Sequence, residues 1–284
     1  MSNTILLSSG SLRNYGLNRI FEIAAGIGFD GIEIIVDETA DSADPDYLRR
    51  MMKEHALPIP VLHAPFAFID PPGWEKDEVG RVKRSVRLAE EIGASLVVLH
   101  VPFFTDRSFR SWLEEELASF QATTEVILGV ENMPQARKPG GKLGVLLNGP
   151  SILEVKRKGI WGLLPAFINP ACFPASDPDG ISRFHRVVLD TTHLATGGLD
   201  PVDAFELLGE KVVHIHLSNF DGREHLLLTE GEIDIPRFLR FLKKRGYQGT
   251  LCLEVMPEYL PTAGEKNIRR LFAESLNLIR DNLS

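Results

Sequence analysis

RVVLDTTHLATGGLDPVDAFELLGEKVVHIHLSN, residues 186–219, holds one complete strand–helix–strand unit. Arg186–Leu189 and Val212–Leu217 are apolar, β-branched runs of strand length. Between them, Pro201–Leu208 starts at Asp200-Pro201, an N-cap residue followed by proline at the first helical position. Near-continuous apolar strands are what a parallel sheet needs when helices cover both of its faces. Polar residues then close each strand: Asp190-Thr191-Thr192-His193 after the first, Ser218 and Asn219 after the second.

The same alternation runs outward in both directions. Thr4–Leu7 precedes a helix from Leu17 whose Leu17, Ile20, Phe21, Ala24 and Ile27 fall at helical spacing and which Gly28 ends. Gly31–Val36 precedes a helix starting at Asp44-Pro45. Ile59–Leu62 precedes Asp77–Ile92, with Val79, Val82, Val86 and Ala89 on one face. Ser95–Leu99 precedes Phe109–Phe120, and Val126–Val130 precedes a helix over Pro150–Lys158. Downstream, Val212–Leu217 leads to Ile235–Arg245, and Thr250–Val255 to Glu265–Asn282. Eight units predict an α/β fold, a (β/α)₈ TIM barrel in one domain over 1–284, rather than an open doubly wound sheet. No GxGxxG follows the first strand, which weakens a dinucleotide-binding reading.

Pro134–His185, between strands five and six, is too long for a loop–helix–loop and holds seven of the 18 prolines. It reads as an insertion within the barrel. Its start, Pro134–Lys142, leaves from the active face. There Arg137, Lys138 and Lys142 read either as a solvated loop or as a lid that meets an anionic substrate group.

The 284 residues, 44% hydrophobic and 25% charged, suffice for one large core. A net charge of −8 without a basic run argues against broad nucleic-acid binding. Cys172 and Cys252 make neither a disulfide framework nor a metal knuckle, which fits a reducing cytoplasm. The opening MSNTILLSSG lacks the basic region and long apolar stretch expected of a secretory leader, and no apolar run reaches the ~20 residues of a membrane span. The composition is compatible with a homo-oligomer as well as a monomer.

Six successive strands end in metal-competent side chains: His63, His100, Glu131, Asp190 with His193, His216, and Glu254. A barrel brings such ends to one face, where active sites are built. Taken singly, His63 or His100 reads as a hydrogen-bonded structural residue, and His214 as structural because it lies deeper. The ordered set reads as a site for one divalent ion. Imidazole and carboxylate without thiolate suit Mn²⁺, Mg²⁺, Co²⁺, Fe²⁺ or Zn²⁺.

At Gly129-Val130-Glu131-Asn132, Leu189–His193, His214–Asn219 and Leu253-Glu254-Val255 the sequence resembles the xylose-isomerase-like barrel superfamily, and the resemblance spans nearly the whole chain. Its sugar epimerases imply a metal held by Glu131, Asp190, His216 and Glu254. They also imply a substrate contact at His193 and a basic contact for which Arg223 is nearest. The second glutamate of the epimerases falls on Arg137 here. Its endonuclease IV-type members imply three metals, with His63, His100, Glu131, Asp190, His193, His216, His225 and Glu254 as matching ligands. Arg223 stands where they have an aspartate, which weighs against repair chemistry.

The expected function is a sugar or sugar-phosphate isomerase or epimerase. Glu131 and Glu254 would move protons beside a metal-bound carbonyl and His193 would stabilise charge. His63, His100, Arg223 and His225 are expected to line the substrate pocket with the three cations of the insertion. The alternatives are an inosose-type dehydratase and a metal-dependent phosphoesterase. A binding protein without catalysis would need fewer acid–base groups.

Overall fold

Eight parallel strands pair in chain order and close, the first against the last. They are β1 (Ile5–Ser8), β2 (Gly31–Ile35), β3 (Val61–His63), β4 (Leu96–His100), β5 (Ile127–Glu131), β6 (Val187–Asp190), β7 (Val212–Leu217) and β8 (Thr250–Leu253). The structure is a computed structural model and describes residues 3–66, 69–102, 106–134, 177–260 and 264–283. Ten α-helices lie among these residues: α1 (Leu17–Ile27), α2 (Pro45–His55), α3 (Glu78–Ile92), α4 (Arg107–Glu115), α5 (Leu117–Gln121), α6 (Pro178–Ile181), α7 (Thr191–Thr196), α8 (Pro201–Leu208), α9 (Ile235–Arg245) and α10 (Glu265–Leu283). None of the described helices is long and apolar enough to cross a membrane.

Aspartates start most of these helices. Asp44, Asp77, Asp106, Asp190, Asp200 and Asp234 each accept a hydrogen bond from a backbone N–H of the first turn, satisfying donors the helix leaves open. Gly28 ends α1 at φ 99°, a left-handed conformation that glycine adopts without steric cost.

The alternation of side chains along each strand builds two cores. One set packs outward against the helices, with Phe21, Phe238 and Phe272 fully buried. The other points into the barrel, where Leu6, Val61, Leu96, Val98, Val188 and Cys252 fill the centre. Gly129 is part of this fit, since a Cβ there would stand 2.7 Å from Val188 Cγ2.

Register then sets the site. Glu131 pairs with His100 across β4 and β5, and Asp190 with His216 across β6 and β7. Two expectations need correcting. The stretch Phe109–Phe120 is not one helix: α4 ends at Glu115, Glu116 at φ −115° caps it, and the short α5 follows. His63 lies inside β3 rather than after it, because the strand runs over Val61–His63 instead of Ile59–Leu62. The helix expected over Pro150–Lys158 lies outside the described residues, as do Cys172, Arg137, Lys138 and Lys142. Of the insertion, α6 leads back into β6.

Candidate metal centre

Glu131, Asp190, His216 and Glu254 each offer one ligand atom, and these atoms lie within 4.8 Å of one another. His216 is at the middle: its Nδ1 is 3.0 Å from Glu131 Oε1, 3.2 Å from Glu254 Oε2 and 3.9 Å from Asp190 Oδ2. Asp190 is fixed from both sides. Its backbone N–H donates to Asn132 Oδ1 at 2.8 Å, Asn132 Nδ2 donates back to its carbonyl at 3.1 Å, and its Oδ1 caps α7 by accepting from His193 N–H. Its Oδ2 is buried with no hydrogen-bond partner. A fully buried carboxylate oxygen without a donor is costly unless a cation meets it. The four side chains therefore fit a divalent ion, with the oxygen and nitrogen donors such ions take.

Two further groups flank this one. His63 and His100 reach the other oxygen of Glu131, their Nε2 atoms 3.4 and 3.2 Å from Oε2. His63 Nδ1–H donates to the carbonyl of Ala64 at 2.9 Å, so its Nε2 has a lone pair facing a carboxylate unless a proton or metal lies between. On the opposite side, His193 and His225 stand beside Asp190 within the same 4.8 Å limit. His193 Nδ1–H donates to the carbonyl of Asn132 at 2.8 Å, leaving its Nε2 for another partner. His225 holds φ 57°, an uncommon conformation for a non-glycine residue.

The charges are set by burial and by crowding. Burial favours the neutral form of Glu131. The charge of His216 and hydrogen bonds from His100, His216 and His63 outweigh it, so the carboxyl lies well below its ordinary range. Burial, helped by the nearby charge of Glu131, pushes Asp190 to about 6 and Glu254 to about 8. Burial disfavours the imidazolium of His216, but Glu33, Glu254 and Glu131 together raise it well above the usual histidine value. Burial lowers His100 and His225 to about 4, so both are neutral at pH 7.

A cavity of about 440 Å³ opens above the cluster, in the size range of small-molecule sites. His63, His100, Glu131, His193, His225 and Glu254 line it, whereas Asp190 and His216 lie beneath. Arg223 is not among its lining residues. It is an exposed side chain held by Asp221, with Nη2 2.6 Å from Oδ2, and stacked over Tyr259 at 5.4 Å. The cation at the cavity is instead Arg13, paired with Glu258. Two acids escaped the reading of the sequence. Glu224, beside His225, lines the cavity, where burial and then the charge of Asp190 push it to about 7. Glu33, on β2, lies fully buried under the centre and accepts from the Nε2–H of both His214, at 2.8 Å, and His216, at 3.1 Å. Its one signal in the sequence is an acid alone inside the apolar strand Gly31–Val36.

Comparison with known proteins bears on the fold and the family. An uncharacterized protein of Mycobacterium tuberculosis is 31% identical over 280 residues, covering 98% of this chain and 96% of that one. Among solved structures, a D-tagatose 3-epimerase-like protein superposes with a TM-score of 0.63 at 19% identity over 100% of both chains. An AP endonuclease, family 2, from Brucella melitensis does so with a TM-score of 0.61 at 17% identity over 94% of this chain and 96% of that one. At such identities the two structures establish the shared fold alone. The model of the family described as xylose isomerase-like TIM barrel matches residues 21–154 and 179–281, and the chain belongs to that family.

Proposed function

We propose that this chain is a divalent-metal-dependent isomerase or epimerase of a small carbohydrate, working by proton transfer beside a carbonyl. The observation that carries this reading is the pair Glu131 and Glu254. Both line the cavity at the cluster, Glu131 from the end of β5 and Glu254 from just past β8. Two carboxyls reaching one cavity from well-separated strands suit proton removal and proton return in one site. A divalent ion held by Glu131, Asp190, His216 and Glu254 would supply Lewis acidity, polarising a substrate carbonyl and acidifying the neighbouring C–H. Glu131, as a carboxylate, removes that proton. Glu254, whose side chain is 17% exposed beside the cavity, would relay a proton from the cavity to the opposite face of that carbon. His193 directs Nε2 to a substrate oxygen, since its Nδ1–H is committed to Asn132.

The test is solvent exchange. Ketoses, inososes and sugar phosphates incubated in D₂O with the metal-loaded protein should include one that gains deuterium at the carbon beside its carbonyl. Glu131→Gln should slow that exchange at least about 100-fold, the lower end of what a general base contributes, and should weaken ion binding in parallel. Loss of a hydroxyl from the exchanging substrate would identify the dehydratase variant of the same chemistry. No exchange in any of them would overturn the reading.

One observation favours a second reading, metal-assisted phosphoester hydrolysis. Glu131 faces one ligand group through Oε1 and another through Oε2, and Asp190 stands between the central group and His193 with His225. Shared carboxylates of this kind suit a cluster of two or three ions. The cavity weighs against a polyanion: Asp37, Glu38, Asp41, Glu78 and Asp106 line it, and Arg13 is the only lysine or arginine among the described lining residues. Three ions per chain with cleavage of abasic DNA would establish hydrolysis, and one ion with solvent exchange the isomerase.

A further inference from the structure

Beneath the candidate centre, a hydrogen-bonded chain runs down the inside of the barrel. His216 presents Nδ1 to Glu131 and Glu254 above. Its Nε2 lies 3.1 and 3.2 Å from the two oxygens of Glu33 below. Glu33 Oε2 also accepts from His214 Nε2–H at 2.8 Å, and His214 Nδ1 meets the hydroxyl of Thr250. Glu33, His214 and His216 have no exposed surface. The sequence of roles is fixed by chemistry. A carboxylate only accepts, so both histidines present Nε2–H to Glu33. In a neutral His214, Nδ1 then accepts from the Thr250 hydroxyl. In His216, Nδ1 is left as the atom that faces the site.

A structural ion pair does not account for this arrangement. Removing a carboxylate from water costs several kcal/mol even after relaxation, and buried pairs of this kind often add nothing to stability over apolar residues of similar volume. The neighbouring interior of the barrel is built from Leu6, Val61, Leu96 and Val98, and the same packing was open to position 33. The acid's partners point to what it does, because one of them is a residue of the four-ligand group. A metal-binding imidazole is oriented by the acceptor of its other N–H, which also raises its strength as a donor.

We propose that Glu33 is a positioning residue: its carboxylate, held from below by His214, fixes the Nε2–H of His216 and so aims the Nδ1 lone pair of His216 into the four-ligand group. The proposal rests on that group being a divalent-ion site. Glu33 itself touches neither ion nor substrate. Its reach is through His216 alone, and its effect is on the affinity for the ion.

The experiment uses the full chain loaded with Zn²⁺. Nitrogen NMR of its ¹⁵N-labelled imidazoles should show His216 protonated at Nε2 and zinc-bound at Nδ1. Competition with a chelator should show Glu33→Gln binding Zn²⁺ about 10-fold more weakly, since its amide oxygen still accepts. Glu33→Leu, which removes the acceptor, should approach the about 100-fold loss at the far end for such partners. A residue with only a structural role would lower the unfolding midpoint of the metal-free protein and leave the affinity of the folded molecules unchanged. Unchanged affinity in both variants, or zinc on Nε2 in the parent protein, overturns the proposal. The parent spectrum decides even where Glu33→Leu does not fold. A parent protein that takes up no Zn²⁺ overturns the metal-site reading and this proposal together, whereas normal uptake with indifferent variants removes only the role of Glu33.

Discussion

Glu131 divides its two oxygens between neighbours of different standing. Oε1 faces His216 at 3.0 Å, inside the four-ligand group, and Oε2 faces His63 and His100, outside it. The division makes the outer histidines informative. With one ion in the four-ligand group, His63→Ala and His100→Ala should leave the metal content at one per chain by elemental analysis while altering substrate affinity. A fall in metal content by a full equivalent would show instead that Oε2 belongs to a second ion. Much of this constellation is legible in the sequence, because each residue of the four-ligand group is a polar residue at the end of an apolar run. Glu33 is not, since its partners His214 and His216 are 181 and 183 residues away and no local pattern joins them. Arg223 misled for a related reason. Sequence places it after the right strand, but Asp221, two residues earlier, holds it at the surface.

At the scale of the element, the turn from β6 into α7 gives one side chain two duties. Asp190 Oδ1 accepts from the His193 N–H to start the helix, while Oδ2 has no partner and faces His216. Substitution can separate the two. Asp190→Asn keeps an oxygen for the cap and removes the charge, so ion affinity should collapse while stability of the metal-free protein changes little. Asp190→Ala should lose affinity and also about 1 kcal/mol of stability, the usual worth of an N-cap. Denaturant unfolding of both, without metal, checks this. Equal stability losses would show that the cap contributes nothing here. Helices α2 and α8 were readable because Asp44-Pro45 and Asp200-Pro201 mark their starts, whereas α6, which starts with the same signal at Asp177-Pro178, is a single turn inside the insertion and was not read. The break at Glu116 was not readable, because no glycine or proline announces it: Glu116 is at once the C-cap of α4 and the N-cap of α5.

For the whole molecule, the crowded carboxylates tie folding to pH. Glu254 sits at about 8, so between pH 6.5 and about 8 the folded chain holds a proton that an unfolded glutamate, with an ordinary value of 4.5, has already released. The folded state then binds more protons than the unfolded one, and stability falls as pH rises through that window. His216, raised well above 6.5, acts in the same direction: its contribution is complete below 6.5 and is lost as pH rises through its folded value. A divalent ion at the proposed site would take the place of these protons. The metal-free protein should therefore become less stable from pH 6.5 to 8, and Mn²⁺ should raise its midpoint more at pH 8 than at pH 6.5. Calorimetry at the two values with and without Mn²⁺ measures both. A metal-free midpoint that climbs across the window would contradict the arrangement of charges described above.

The pairing of β1 with β8 carries a consequence for how such a molecule is made. Ile5 finds its neighbour in Leu251, close to the far end of the sequence, and Glu254 follows directly on β8. A chain emerging from the ribosome folds its early segments first. It carries Glu131, Asp190 and His216 well before it carries Glu254. During that interval the barrel has an open seam and the ligand set lacks a member. An ion that requires all four residues would find them together only in a finished topology, and its capture would report that synthesis has run through to the last strand.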